Sequence, residues 1–219
     1  MPEAPVPDLT VPDLSGFFTL LDAIDTPADA EFLYRSDEPR GAQRRANLVR
    51  YLTLVAAGGA SVALIGEAPG HRGTVVTGVP FMSAREVLTR PGLITGSPDG
   101  DGFSIPDPPS APWEASSAVV WATLARRRGP LPLMWPISPN HPFLAGSPAT
   151  NRTPRPAEIR AGLPIALALM EALGISRVVA VGRKAQGALL AHGVEAEAVR
   201  HPAHGGAAQF AEQLLALDE

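Results

Sequence analysis

Three short apolar runs, and a weaker fourth, limit what this chain can become. Ser61-Val-Ala-Leu-Ile65 is nearly uninterrupted and closes on Gly66, while Leu131–Ile137 and Arg177-Val-Val-Ala-Val-Gly182 repeat the pattern. Val194–Val199 is a fainter version that ends at His201. Runs this short, without polar alternation, read as strands buried on both faces, as in a parallel sheet. Helical stretches separate them. Leu14–Ile24 predicts a short helix, and Arg40–Ala57 a longer one with Leu48, Tyr51, Leu52 and Val55 on one face and Gly58-Gly59 at its end. Thr153 as N-cap, Pro154 in the first turn and Glu158 close behind predict a helix running to about Leu173. Two more are expected over Gly182–Ala191 and Ala207–Leu217. Alternating strands and helices give an α/β domain: three layers, with a small, mainly parallel four-stranded central sheet and helices on both faces.

In such sheets ligands bind beyond the carboxyl ends of the strands. Each run here is followed there by an unusual segment: Gly66-Glu-Ala-Pro-Gly70, then Trp135-Pro-Ile-Ser-Pro-Asn-His-Pro142, then Gly182-Arg-Lys-Ala-Gln186, then His201-Pro-Ala-His-Gly-Gly206. Four such endings on one rim predict a site. Pro98–Pro112 reads as a low-complexity loop, and residues 1–15 as a Pro-punctuated extended arm ahead of a single domain over 16–219. The arm lacks the basic and apolar regions of a signal peptide, and the longest apolar runs are too short to span a bilayer, so a cytoplasmic location is expected. The chain has no cysteine, which excludes disulfides and thiolate-held metals, and no two of the five His have helical zinc spacing. No cofactor and no metal are expected.

The net charge of -4 argues only weakly against nucleic acid, because a phosphate backbone feels the facing surface alone. Arginines gather in three groups: Arg40, Arg44, Arg45 and Arg50; Arg126, Arg127 and Arg128; Arg152, Arg155 and Arg160. Solvated helix and loop charge is the ordinary reading of any one group.

Gly66-Glu67-Ala68-Pro69-Gly70, with Thr77-Gly-Val-Pro-Phe81 behind it, is the most specific stretch. Its glycines permit close backbone approach, Pro69 stiffens the turn and Phe81 offers a ring. A strand followed by this pair resembles the first motif of uracil-DNA glycosylases, most closely the iron–sulfur branch. His201-Pro-Ala-His204-Gly-Gly resembles the second motif, usually written HPS. Asn151-Arg-Thr-Pro-Arg-Pro-Ala-Glu-Ile159 is similar to the NRTPTPEEI-type segment of that branch, and Val181-Gly-Arg-Lys-Ala185 to its VGxxA turn. The four matches fall in order over residues 61–206.

The resemblance implies a uracil-DNA glycosylase-like fold and DNA base excision. The N-glycosidic bond breaks through an oxocarbenium-like sugar and a departing base anion, so catalysis needs donors for the anion and a grip on the flipped base. By analogy His201 donates to the base oxygen and Phe81 stacks on the ring. Backbone from Gly66 through Ala68, Pro69 and Gly70 contacts the base, Glu67 orients water or the sugar, and Trp135 belongs to the base pocket. Arg152, His204, Gly205 and Gly206 contact DNA.

The departures carry meaning. The iron–sulfur branch needs four cysteines, so packing must replace the cluster. Ala68 is normal for that branch. Related cluster-free sequences read WNxxPxHP at the second strand's end, whereas this chain has Pro136 where the base-reading Asn is expected; Asn140 and His141 are the available substitutes. Proline offers no side-chain polar group and no N–H. Ala203 replaces the usual Ser, and the wedge lacks a large side chain, which favours single-stranded or mismatched DNA. The expected function is excision of uracil or another deaminated base by a monomer. A catalytically silent DNA-damage binder of the same superfamily and a nucleoside-handling hydrolase are the competing readings.

Overall fold

The computed structural model describes residues 12–217. Most of the expected arm, residues 1–11, lies outside them. Pro12–Leu14 have no regular structure, and Ser15, counted in the arm, already begins a helix. The elements are α1 (Ser15–Asp22), β1 (Ala30–Glu31), α2 (Pro39–Ala57), β2 (Val62–Gly66), α3 (Thr74–Thr77), α4 (Ala84–Thr89), α5 (Ala115–Leu124), β3 (Leu133–Pro136), β4 (His141–Pro142), α6 (Pro156–Ala172), β5 (Arg177–Val181), α7 (Arg183–Leu190), β6 (Glu197–Val199) and α8 (Ala207–Ala216).

The central sheet has the order β3-β2-β5-β6, with all three pairings parallel. Right-handed crossovers decide the layers. The connection from β2 out to β3 carries α5 over one face, and the return to β5 and on to β6 carries α6 and α7 over the other. α8 packs against α5 and α1 against α6. The sheet is thus a buried middle layer, with Ala63–Ile65, Leu133–Trp135 and Val179–Val181 almost solvent-free. That two-sided burial is why these strands carry no polar alternation.

β3 lies at the sheet's edge, where unpaired main-chain groups are a hazard. The Tyr51 hydroxyl, delivered by α2, accepts the Met134 N–H at 2.6 Å. A two-stranded antiparallel ribbon, β1 with β4, sits apart from the main sheet.

The start of α6 differs from expectation. Pro156 occupies the first turn and Arg155, extended at φ -74° and ψ 158°, is the N-cap, two residues later than Thr153. The residue before a proline is pushed out of the helical region, so the second proline of the Pro-Arg-Pro sequence sets the boundary. Glu158 keeps a capping role by accepting the Arg155 N–H at 2.7 Å. The Pro98–Pro112 loop is also more organised than its composition implies. Asp101 is 4% exposed, and its carboxylate accepts the N–H groups of Ile94 and Thr95 and the Thr95 hydroxyl.

Candidate functional site

Because the four strands run in parallel, the segments after Gly66, Pro136, Val181 and Val199 all emerge at one rim. They surround a cavity of about 430 Å³. Of the expected residues, Gly66, Glu67, Ala68, Pro69, Gly70, Phe81, Pro136, Arg152, His201 and His204 line it.

The Gly66 loop is shaped by what lies against it. A Cβ on Gly66 would stand 2.6 Å from Phe81 Cζ, so the ring covers the end of β2 only because position 66 has no side chain. Phe81 holds φ at 57°, a region a bulky residue adopts only under constraint. The constraint is visible: Trp121 Nε1 donates to the Phe81 carbonyl at 3.0 Å, and the Thr77 hydroxyl donates to the Met82 carbonyl at 2.9 Å. His204, at φ 52°, is the other non-glycine residue with positive φ among those described, and it lines the same cavity. Strained backbone of this kind gathers where function requires a particular side-chain position.

His201 has a defined protonation pattern. Its Nδ1 accepts the Ala203 N–H at 3.1 Å, which leaves Nε2 to carry the proton in the neutral ring. Burial, followed by the positive neighbours Arg200, His204 and Lys184, holds it below its ordinary value of 6.5. The result is a neutral imidazole with one N–H left to donate.

Glu67 has a buried Oε1 without a hydrogen-bond partner among the described residues, and Lys184 Nζ stands 3.5 Å from it. Lys184 in turn donates to the Thr153 hydroxyl. Asn151 Oδ1 accepts the His71 N–H at 3.0 Å, tying the segment before α6 to the Gly66 loop.

Three expectations are corrected. Trp135 does not reach the cavity. Successive strand residues face opposite ways, and with Pro136 lining the cavity Trp135 turns into the core, stacked on Tyr34 at 6.4 Å and edge-on to Phe17 at 5.2 Å. Asn140 is no substitute for a base reader, because it does not line the cavity; it is 3% exposed, its Nδ2 donates to the Asp25 carbonyl and the Thr26 hydroxyl, and its buried Oδ1 has no hydrogen-bond partner among the described residues. His141 is committed at both ring nitrogens, which lie 2.9 and 3.2 Å from the carbonyls of Pro69 and Pro148. It acts as a strut beneath the Gly66 loop. Gly205 and Gly206 follow His204 but do not line the cavity, and Gly206 is the buried N-cap of α8.

The arginine groups do not converge on the site; of them, only Arg152 lines it. Arg45 pairs with Asp22 over the Phe18 ring, Arg44 is buried against Glu31, and Arg50 donates to the Asp101 carbonyl. Arg152 itself makes paired bonds to Glu158 and to Asp29, and Arg155 also pairs with Asp29.

Sequence reasoning missed Glu114, Ser116 and Lys184 as cavity residues. Glu114 is the N-cap of α5, a helix for which the sequence reading made no assignment. Its carboxyl lies against the Gly66 loop so closely that a Cβ on Gly70 or Gly73 would come within 2.5 or 2.3 Å of its oxygens. Burial, with Glu86 alongside and only Arg72 opposing, pushes it up to about 7. The available signal was the apolar run Ala115–Leu124, which makes Glu114 a helix-start acid. Among the described residues no group of three His, Cys, Asp or Glu is arranged to hold a metal, and no helix is long and apolar enough to cross a membrane.

No protein-family model matches the sequence, and no curated protein matches it. Solved structures do. One is the crystal structure of wild-type SMUG2 from Pedobacter heparinus, with a TM-score of 0.53 over 72% of this chain and 74% of that one, at 13% identity. The two chains share a fold.

Proposed function

We propose that this chain is a DNA glycosylase that hydrolyses the N-glycosidic bond of a base turned out of the stack, either uracil or another deaminated base. The observation that carries the reading is that Phe81, Glu67 and His201 line one cavity at the carboxyl rim of the sheet. Fold likeness to SMUG2 and the ordered motif matches over residues 61–206 support it.

In this reading the Phe81 ring stacks on the extruded base. As the base departs with the bonding electron pair, the Nε2–H of His201 donates to the base oxygen that takes up the charge, and a neutral imidazole is suited to that. The Glu67 carboxylate faces the sugar, where it favours the developing cation and accepts a hydrogen bond from the attacking water. Water adds to C1′ and its proton leaves with the base, which balances the hydrolysis. His204 lies beside the damaged strand, with Gly205 and Gly206 behind it, and Lys184 supplies a phosphate contact. Arg152 positions the segment before α6, its own charge being met by Asp29 and Glu158. Single-stranded or mismatched DNA is the substrate, acted on by a monomer built as one domain over 16–219.

The test is a single-turnover excision assay on single-stranded and mismatched oligonucleotides carrying uracil, hypoxanthine or xanthine. Cleavage by the parent should fall about 100-fold or more in His201→Ala. Pro136 favours the second reading, a silent damage binder, because it leaves that part of the wall without a polar side chain. Excision that appears only in Pro136→Asn would overturn the first reading and put the second in the lead.

A further inference from the structure

The cavity has polar groups in plenty, yet most are occupied. Asn151 Oδ1 accepts from His71, Thr153 holds Lys184, and Arg152 is bound by two carboxylates. Pro136 brings no polar side chain, and neither Asn140 nor His141 lines the cavity. A flipped base presents a lactam edge with one N–H and an adjacent carbonyl, and reading it requires a group able to accept and donate at once.

Glu114 is such a group. It lines the cavity, and its side chain makes no hydrogen bond among the described residues. Its neighbour Glu86 differs sharply: one Glu86 oxygen accepts from Ser83 N–H and from the hydroxyls of Ser83 and Ser117. The two carboxyls are therefore not equivalent. Glu86 already has three donors on one oxygen, and its proximity disfavours a charge on Glu114. The glycines at 70 and 73 leave the space that Glu114 fills, which places its carboxyl against the same loop that underlies Phe81 and Glu67.

We propose that Glu114 is the base-reading residue of this site, its acid form donating to a ring carbonyl of the extruded base and accepting the adjacent N–H, the task that Pro136 leaves unfilled. This rests on the glycosylase reading for its chemistry but not for its recognition step. A carboxylic acid presents the donor and acceptor pair of a side-chain amide. The protonated form also suits the reaction, because a donor relieves the charge on the departing base whereas a carboxylate would repel it. The ligand class is a base with a lactam edge: uracil, hypoxanthine or xanthine. Raising the pH should remove the donor. Burial and Glu86 bring the carboxyl's ionisation to about 7, with Arg72 opposing, and the other titratable or charged groups around the cavity are Glu67, Arg152, Lys184, His201 and His204.

Excision and binding are measured from pH 6 to 8.5 for the parent, Glu114→Gln and Glu114→Ala, with thermal melting to verify folding. Binding compares single-stranded oligonucleotides carrying either uncleavable 2′-fluoro-2′-deoxyuridine or a tetrahydrofuran abasic analogue, so it reads the base independently of cleavage. The expected parent prefers the base-bearing strand and loses about tenfold of that preference, and of excision, as the pH rises past 7. Glu114→Gln should lose the alkaline decline, and Glu114→Ala should lose the preference at every pH. A parent that cleaves no base but shows this pattern in binding would overturn the glycosylase reading and keep Glu114 as reader. A folded Glu114→Ala with undiminished base preference, an alkaline decline that persists in Glu114→Gln, or a parent with no preference for the base would overturn the proposal.

Discussion

Two polar clusters share the rim and are built on opposite plans. In the first, Asp29, Arg152, Arg155 and Glu158 exchange paired hydrogen bonds, and both carboxylates are held below their usual range by the guanidinium bonds they accept. In the second, Glu67 keeps a buried oxygen without a hydrogen bond among the described residues, Glu114 is pushed towards its neutral form by burial, and burial keeps His201 neutral. Arg152 belongs to the first cluster while lining the cavity of the second. Side chains whose bonding is complete hold the chain in place; those left incomplete are stable only because the rest of the fold is, and they are the ones available to a substrate.

The contrast can be broken from either side. The largest effect belongs to His201→Ala, which should remove about 100-fold or more of the excision rate while leaving the melting temperature nearly unchanged. Glu158→Ala should do the reverse. It strips the 12%-exposed Arg152 side chain of one carboxylate and α6 of its cap, for about 2–3 kcal/mol of stability by urea denaturation, with excision per folded molecule within a few-fold of the parent.

pH should separate the clusters by sign. The depressed carboxylates contribute stability that is present above 4.5 and lost as the pH falls through their lower folded values. The raised Glu114 contributes stability that is fully present below 4.5 and lost as the pH rises through about 7. Glu114→Gln should therefore flatten the melting-temperature profile between 4.5 and about 7 and leave the region below 4.5, where the depressed carboxylates act, alone. His201 adds an acid limb to excision with its midpoint below 6.5, since protonating Nδ1 breaks the bond from Ala203. The smallest effect is that of Lys184→Ala, which should reduce the slope of log affinity against log salt by about one unit without changing base preference.

What could be read in advance follows from range of interaction. The four strands and their common rim were legible because burial on both faces forces apolar runs, and the four segments that follow them were visible as departures from that pattern. Period-two alternation could also have separated Pro136 from Trp135, since two consecutive strand residues cannot face the same cavity. Asn140 and His141 could not be assigned this way. Their partners, Asp25, Thr26, Pro69 and Pro148, are set by tertiary packing, and an Asn or His beside a motif looks the same whether it binds substrate or main chain. Glu114 is the clearest loss. It lies 44 positions beyond Gly70, and nothing local tells that the two meet or that Glu86 raises its affinity for a proton. The start of α6 was open to a closer reading, because Pro156 rules out Arg155 as a helical residue.

The backbone at Phe81 carries a consequence for laboratory evolution. A phenylalanine at φ 57° costs on the order of 1–3 kcal/mol that a glycine would not, and an asparagine would recover part of it. Phe81→Gly would release that strain but give up the ring's packing against the core and over Gly66, so the two effects oppose each other. The ring thus holds its own strained backbone in place, and a screen for heat resistance alone has little to gain by removing it.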